Sequence, residues 1–114
     1  MKIANTRIAD YISNKKECEG SNIFAEYKII GQQMLPDHHP EKSKKIYVVY
    51  SYGYHFPMYC FIDGIWVGNS SSYSPTTARH KSQANPGNVR LYIPTKTLKK
   101  LVDGDIDLED IIKW

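Results

Sequence analysis

The stretch from Met58 to Gly68 constrains the fold more than any other part of the chain. Two short apolar runs, Met58–Ile62 and Ile65–Gly68, are separated by Asp63-Gly64 alone. Asp-Gly accepts the positive φ angles of a type I′ turn, whose twist matches the strands it joins, so the pattern predicts a two-residue β-hairpin. In that register Ile62 faces Ile65, Phe61 faces Trp66 and Cys60 faces Val67, and Phe61 and Trp66 form a cross-strand aromatic pair. A lone hairpin is marginal in water, so it has to recruit further elements.

The flanking sequence supplies them. Ile46 to Tyr54 is β-branched and aromatic throughout, which predicts a strand with Ile46, Val48, Tyr50 and Tyr52 on one face and a three-strand meander with the hairpin. Ile23 to Ile30, ended by Gly31, and Val89 to Ile93 read as two more strands. Helices are signalled at four places. Asn5 or Thr6 caps a segment with Ile8, Tyr11 and Ile12 at helical spacing, fading near Ser13 to Lys16. Ser74-Pro75 reads as N-cap and first position of a helix running to about Ser82, before Pro86-Gly87. Pro94-Thr95 opens another with Leu98, Leu101 and Val102 on one face, stopped by Gly104, and Asp107 caps a last turn with Leu108, Ile111 and Ile112. The polar stretch Gln32 to Lys45, with two prolines and His38-His39, reads as a long loop, and Asn69 to Ser72 as a turn. Together these predict one α+β domain over residues 1–114, with an antiparallel sheet of about four to five strands and two to four short helices.

Composition narrows the function classes. The start, MKIANTRIADYISN, lacks the apolar core of a signal peptide, and no apolar run approaches membrane length. Only Cys18 and Cys60 are present, too few for the disulfide framework typical of small secreted domains. The expectation is a cytoplasmic protein with no membrane association. Residues 1–63 hold eight bases and seven acids; Gly64 to Val102 contains no acid but Arg79, Lys81, Arg90, Lys96, Lys99 and Lys100; five acids then fall within the last twelve residues. The acid-free segment 64–102 could present a positive surface to DNA, RNA or an acidic partner, or be neutralised by the acidic tail. Nine tyrosines suit strands, and exposed ones would equally serve nucleobase stacking or a homodimer face.

Chemistry-bearing residues concentrate in two clusters. Around Tyr73, the helix start at Ser74-Pro75 is followed by Thr76, Thr77, Arg79, His80 and Lys81. Unpaired N–H groups, hydroxyls and cations so arranged can hold a phosphate or carboxylate, which makes nucleotide or small-anion binding one alternative; an ordinary capped surface helix is the other. The second cluster, Tyr52-Gly53-Tyr54-His55-Phe56-Pro57, places Tyr52 and His55 between two strands, where His55 could reach toward Thr76–His80. Together the candidate binding residues are Tyr52, His55, Tyr73, Thr76, Thr77, Arg79, His80 and Lys81. His38-His39, His55, His80, Cys18 and Cys60 have no metal-ligand spacing, Cys60 sits mid-strand as a small hydrophobe, and no Gly-rich phosphate loop or nucleophile elbow is present, so no catalytic residue, metal or cofactor is expected.

Tyr52-Gly53-Tyr54-His55-Phe56-Pro57, then Trp66, then Tyr73-Ser74-Pro75-Thr76-Thr77-Ala78-Arg79-His80 resembles a family of small uncharacterised proteins carried by bacteriophages and mobile elements. The family pattern is Tyr-Gly-x-His-Phe-Pro, Trp, and Tyr-Ser-x-Thr-Thr-x-Arg/Lys-His, covering about residues 46–86. The resemblance implies an accessory protein in the host bacterial cytoplasm. By analogy with other small phage proteins, it would bind a host protein or protein–nucleic acid complex, such as a defence nuclease, and modulate it without catalysis.

Overall fold

The computed structural model describes residues 2–30, 44–71 and 75–112. Along the chain a 3-10 turn, Asn5–Arg7, leads into α1 (Ile8–Ser13), followed by β1 (Cys18–Glu19), β2 (Ile23–Ile30), β3 (Lys44–Ser51), β4 (Pro57–Ile62), β5 (Ile65–Asn69), α2 (Pro75–Gln83), β6 (Val89–Ile93), α3 (Thr95–Val102) and α4 (Leu108–Ile111). All six strands join one sheet in sequence order.

The hairpin forms in the register its sequence dictates. Ile62 pairs with Ile65, Phe61 with Trp66 and Cys60 with Val67. Asp63 and Gly64 take φ of 51° and 82°, the two positive angles of a type I′ turn. The Phe61 and Trp66 rings meet edge-on with centroids 5.2 Å apart. β2 adds antiparallel to β3, from Ile23 opposite Ser51 to Ile30 opposite Lys44.

Three expectations about the strands are corrected. First, the sheet has six strands rather than four to five, because Cys18–Glu19 pairs with β2 as a two-residue edge too short to leave a periodic signal. Second, the sheet is mixed: β5 and β6 run parallel, since α2 lies between them in the chain and returns it to the starting end of β5. Third, β3 stops at Ser51 instead of Tyr54, because Tyr52 turns into the left-handed region at φ 66°. Tyr11 also leaves the apolar stripe of the first helix: it is exposed, while Ile8 and Ile12 are buried. The helix start at Ser74, the turn residue Ser72 and the loop 32–43 with His38-His39 lie outside the described residues.

Alternation along the strands splits the core between the two sheet faces. Ile8 and Ile12 of α1 and Ala84 after α2 pack on one face against Ile23, Ala25, Tyr47, Val49, Tyr59 and Trp66. Leu98, Leu101 and Val102 of α3 and Leu108 of α4 pack on the other against Ile46, Val48, Tyr50, Cys60, Ile62 and Val67. Burying each such aliphatic side chain stabilises the fold by about 1.5–3 kcal/mol relative to exposure. Asp107 caps α4 as the sequence predicts, and Asp110 Oδ2 completes a capping box by accepting from the Asp107 N–H at 2.8 Å. Among the described residues no helix is long and apolar enough to cross a membrane.

Candidate functional site

Tyr47, Val49 and Ser51 share a sheet face by strand alternation, which carries Ser51 under α2. On α2, Thr77 and His80 are three apart and both buried, forming the inward side of an otherwise polar helix. Ser51 Oγ and His80 Nδ1 meet at 2.8 Å, with the two residues only 1% and 3% exposed. Burial, and then the neighbouring Arg79 charge, push the His80 pKa below its ordinary value, so the ring is neutral near pH 7. His80 is therefore an interior hydrogen-bonding group and not a surface cation.

The turn after β3 is closed on itself. Gly53 N–H donates to the Ser51 carbonyl at 2.8 Å, Ser51 N–H to the Phe56 carbonyl at 3.1 Å, and Tyr52 N–H to the Asn22 carbonyl at 2.8 Å. The last of these bonds holds Tyr52 in its left-handed conformation, which costs a non-glycine residue on the order of 1 kcal/mol or more. Its ring lies tilted against His80, centroids 5.1 Å apart, while the residue as a whole stays exposed. Tyr54 is exposed too, but it leans on Phe24 and Tyr50 of the other sheet face and donates to Glu26 at 3.3 Å.

The two sequence clusters thus meet through Ser51, Tyr52 and His80. His55 is exposed and its ring stands beside Gly53, where an added Cβ would come within 3.1 Å of Nδ1. The two imidazoles consequently do not share one enclosed pocket. Thr76 is exposed whereas Thr77 is buried, so their hydroxyls do not present a joint phosphate cradle to solvent. Arg79 is exposed. Lys81 is drawn inward: its Nζ donates to the Ser71 carbonyl at 3.0 Å, its own carbonyl accepts from the Tyr59 hydroxyl at 2.7 Å, and burial lowers its pKa. Tyr73 lies outside the described residues.

Cys60 fits its reading as a small hydrophobe, since burial, then Asp63, push the thiol up to about 12. Among the described residues no group of three His, Cys, Asp or Glu converges to hold a metal.

Sequence reasoning missed two residues. Ser51 appears there only as part of a strand; its signal is a small polar side chain in phase with Tyr47 and Val49 on an inward face. Asn69, at the end of β5, is wholly buried. Its Nδ2 donates to the Pro57 carbonyl at 2.7 Å and to Thr95 Oγ1 at 3.0 Å, and its Oδ1 accepts from Ser71 N–H at 2.7 Å. A polar residue on the inward phase of an apolar strand is the signal for such a knot.

Comparison with protein-family models, curated proteins and solved structures returns no match for this chain.

Proposed function

We propose that this chain is a non-enzymatic accessory protein of phage type that binds a host protein through the Tyr52–His55 turn and the outward residues of α2. The observation that carries this reading is the buried 2.8 Å Ser51–His80 hydrogen bond with the Tyr52 ring laid over it. It joins a loop and a helix into one unit, so the side chains outside it are held in place before any partner arrives. Preorganised aromatic and arginine side chains are what contact hot spots are made of, because little conformational freedom remains to be lost on binding. Tyr52, His55, Thr76 and Arg79 are exposed on this unit. Turnover is poorly served by the same geometry: Ser51 is buried, leaving a substrate no approach to its hydroxyl, and the Cys60 thiol is protonated at neutral pH. A host defence machine in the bacterial cytoplasm is the partner that the sequence resemblance favours.

A tagged chain carrying Tyr52→Ala, His55→Ala and Arg79→Ala tests the surface. In nuclease-treated bacterial lysate, the unaltered chain is expected to retain a discrete host protein that the variant loses. All three side chains are exposed, so the variant's melting temperature should stay within about 3 °C. Equal recovery by the folded variant removes this surface from the account, and no recovery by either chain counts against a protein partner.

A further inference from the structure

Away from that turn, the loop after α1 carries two consecutive lysines anchored from below. The Lys15 carbonyl accepts from the Tyr27 hydroxyl at 2.6 Å and the Lys16 carbonyl from the Tyr47 hydroxyl at 2.5 Å. Tyr47 is rooted in the core and Tyr27 packs edge-on against it, centroids 5.1 Å apart. Lys15 itself is held at φ 54°, a conformation that lysine rarely adopts unless its surroundings impose it. Both lysine backbones are thereby fixed to the sheet.

Each lysine serves a different concavity on the α1–α2 side. Lys16 lines one of about 510 Å³ together with Lys2, Arg7 and Tyr11. Lys15 places its Nζ 4.4 Å above the Phe61 ring, and Phe61 lines a second concavity of about 640 Å³ with Trp66 and Arg90. Asp10 also borders the first concavity, and Glu17 directs Oε2 to the Tyr27 N–H at 3.3 Å. Bases still prevail on this side: Lys2, Arg7, Lys15 and Lys16 stand against Asp10 and Glu17, and α2 adds the exposed Arg79 with no acid. The opposite helical layer is acidic, setting Lys96, Lys99 and Lys100 against Asp103, Asp105, Asp107, Glu109 and Asp110.

We infer that these two concavities, bridged by Lys15 and Lys16, bind single-stranded nucleic acid. The lysines and Arg7 take the phosphates. Tyr11, 40% exposed, offers a ring to a base in the first recess, and the Phe61–Trp66 wall borders the second. Aromatic surface interleaved with cations is sequence-tolerant recognition, since every base has a π-face and every nucleotide a phosphate. An acidic protein would compete for the same cations, and oligonucleotide binding separates the two occupants. The site is separate from the Tyr52–His55 turn, and either assignment can fail alone.

Fluorescence anisotropy of a labelled oligothymidylate of about twenty nucleotides, titrated with the full chain at low salt, tests it. Binding is expected, weakening steeply as salt rises because counterions are released. Lys15→Glu with Lys16→Glu should weaken it about tenfold or more, and Tyr11→Ala about fivefold. Lys96→Glu with Lys99→Glu, on the acidic side, should leave it within about twofold, since no phosphate contact is lost there. A circular-dichroism melt confirms that each variant is folded. Absence of binding at low salt overturns the inference. So does equal loss with the Lys96/Lys99 variant, or equal binding of a duplex of the same length. Capture of an acidic host protein that Lys15→Glu/Lys16→Glu abolishes, without oligonucleotide binding, assigns the cations to protein and likewise overturns it.

Discussion

His80 shows how a residue's type and its role can separate. In the sequence it stands between Arg79 and Lys81 and reads as part of a cationic cluster; in the fold it is the buried partner of Ser51. Burial and Arg79 favour the neutral ring, so the folded pKa lies below the ordinary 6.5. As pH falls through 6.5 the unfolded chain takes up a proton before the folded one, and the stability present above that pH is progressively lost down to the folded pKa. The melting temperature is therefore expected to drop between about pH 7 and pH 5, over and above the change in a His80→Asn variant, whose amide can keep a group near Nδ1 without titrating. Parallel pH profiles of the two chains would show that His80 does not supply this slope. The clusters themselves were legible, because Gly, Pro and hydroxyl residues punctuate the sequence. Which face of α2 turns inward was not, because Thr77 and His80 form a polar inner stripe where hydrophobic periodicity would point elsewhere.

At the level of elements, the sequence carried most where local chemistry decides. Asp63-Gly64 determines both turn type and register, and all three residue pairs deduced from it occur. β2 and β6 occupy Ile23–Ile30 and Val89–Ile93, as their alternation predicts. The parallel pairing of β5 with β6 was not legible: alternation is the same in either direction, and nothing local reports which neighbour a strand will meet. The junction of β4, β5 and α3 is likewise a tertiary fact, centred on one side chain. Asn69 joins the start of β4 through Pro57, the chain beyond β5 through Ser71, and the first residue of α3 through Thr95. Asn69→Ala removes these bonds and leaves polar groups buried without their partner, for which about 3 kcal/mol of destabilisation is expected. Urea denaturation measures it. A loss near 0.5 kcal/mol or less would mean that water replaces the amide.

At the scale of the whole molecule, one sheet separates two helical layers, and the two cysteines report on it from different depths. Cys60 lies in β4, between β3 and β5, and is wholly buried in the cluster under α3 and α4. Cys18 lies in the two-residue edge strand β1, half-buried at the border of the cluster under α1. Burial raises both thiols, while a hydrogen bond with Tyr47 partly offsets the effect at Cys18. Reaction with a thiol reagent needs an exposed thiolate, so its rate measures the opening that exposes each sulfur. Cys18 needs only the short β1 edge to detach. Cys60 needs β4 to leave a sheet that both layers cover, which amounts to global unfolding. In the native state Cys18 should therefore react well before Cys60, and the free energy of opening at Cys60 should equal that from urea denaturation within about 1 kcal/mol. Mass spectrometry of partially labelled protein distinguishes the two sites. Equal rates at both would show that β1 opens only with the whole sheet. Faster opening at Cys60 than global unfolding permits would show that the α3–α4 layer lifts away on its own, and the two layers would then be separate cooperative units on a shared sheet.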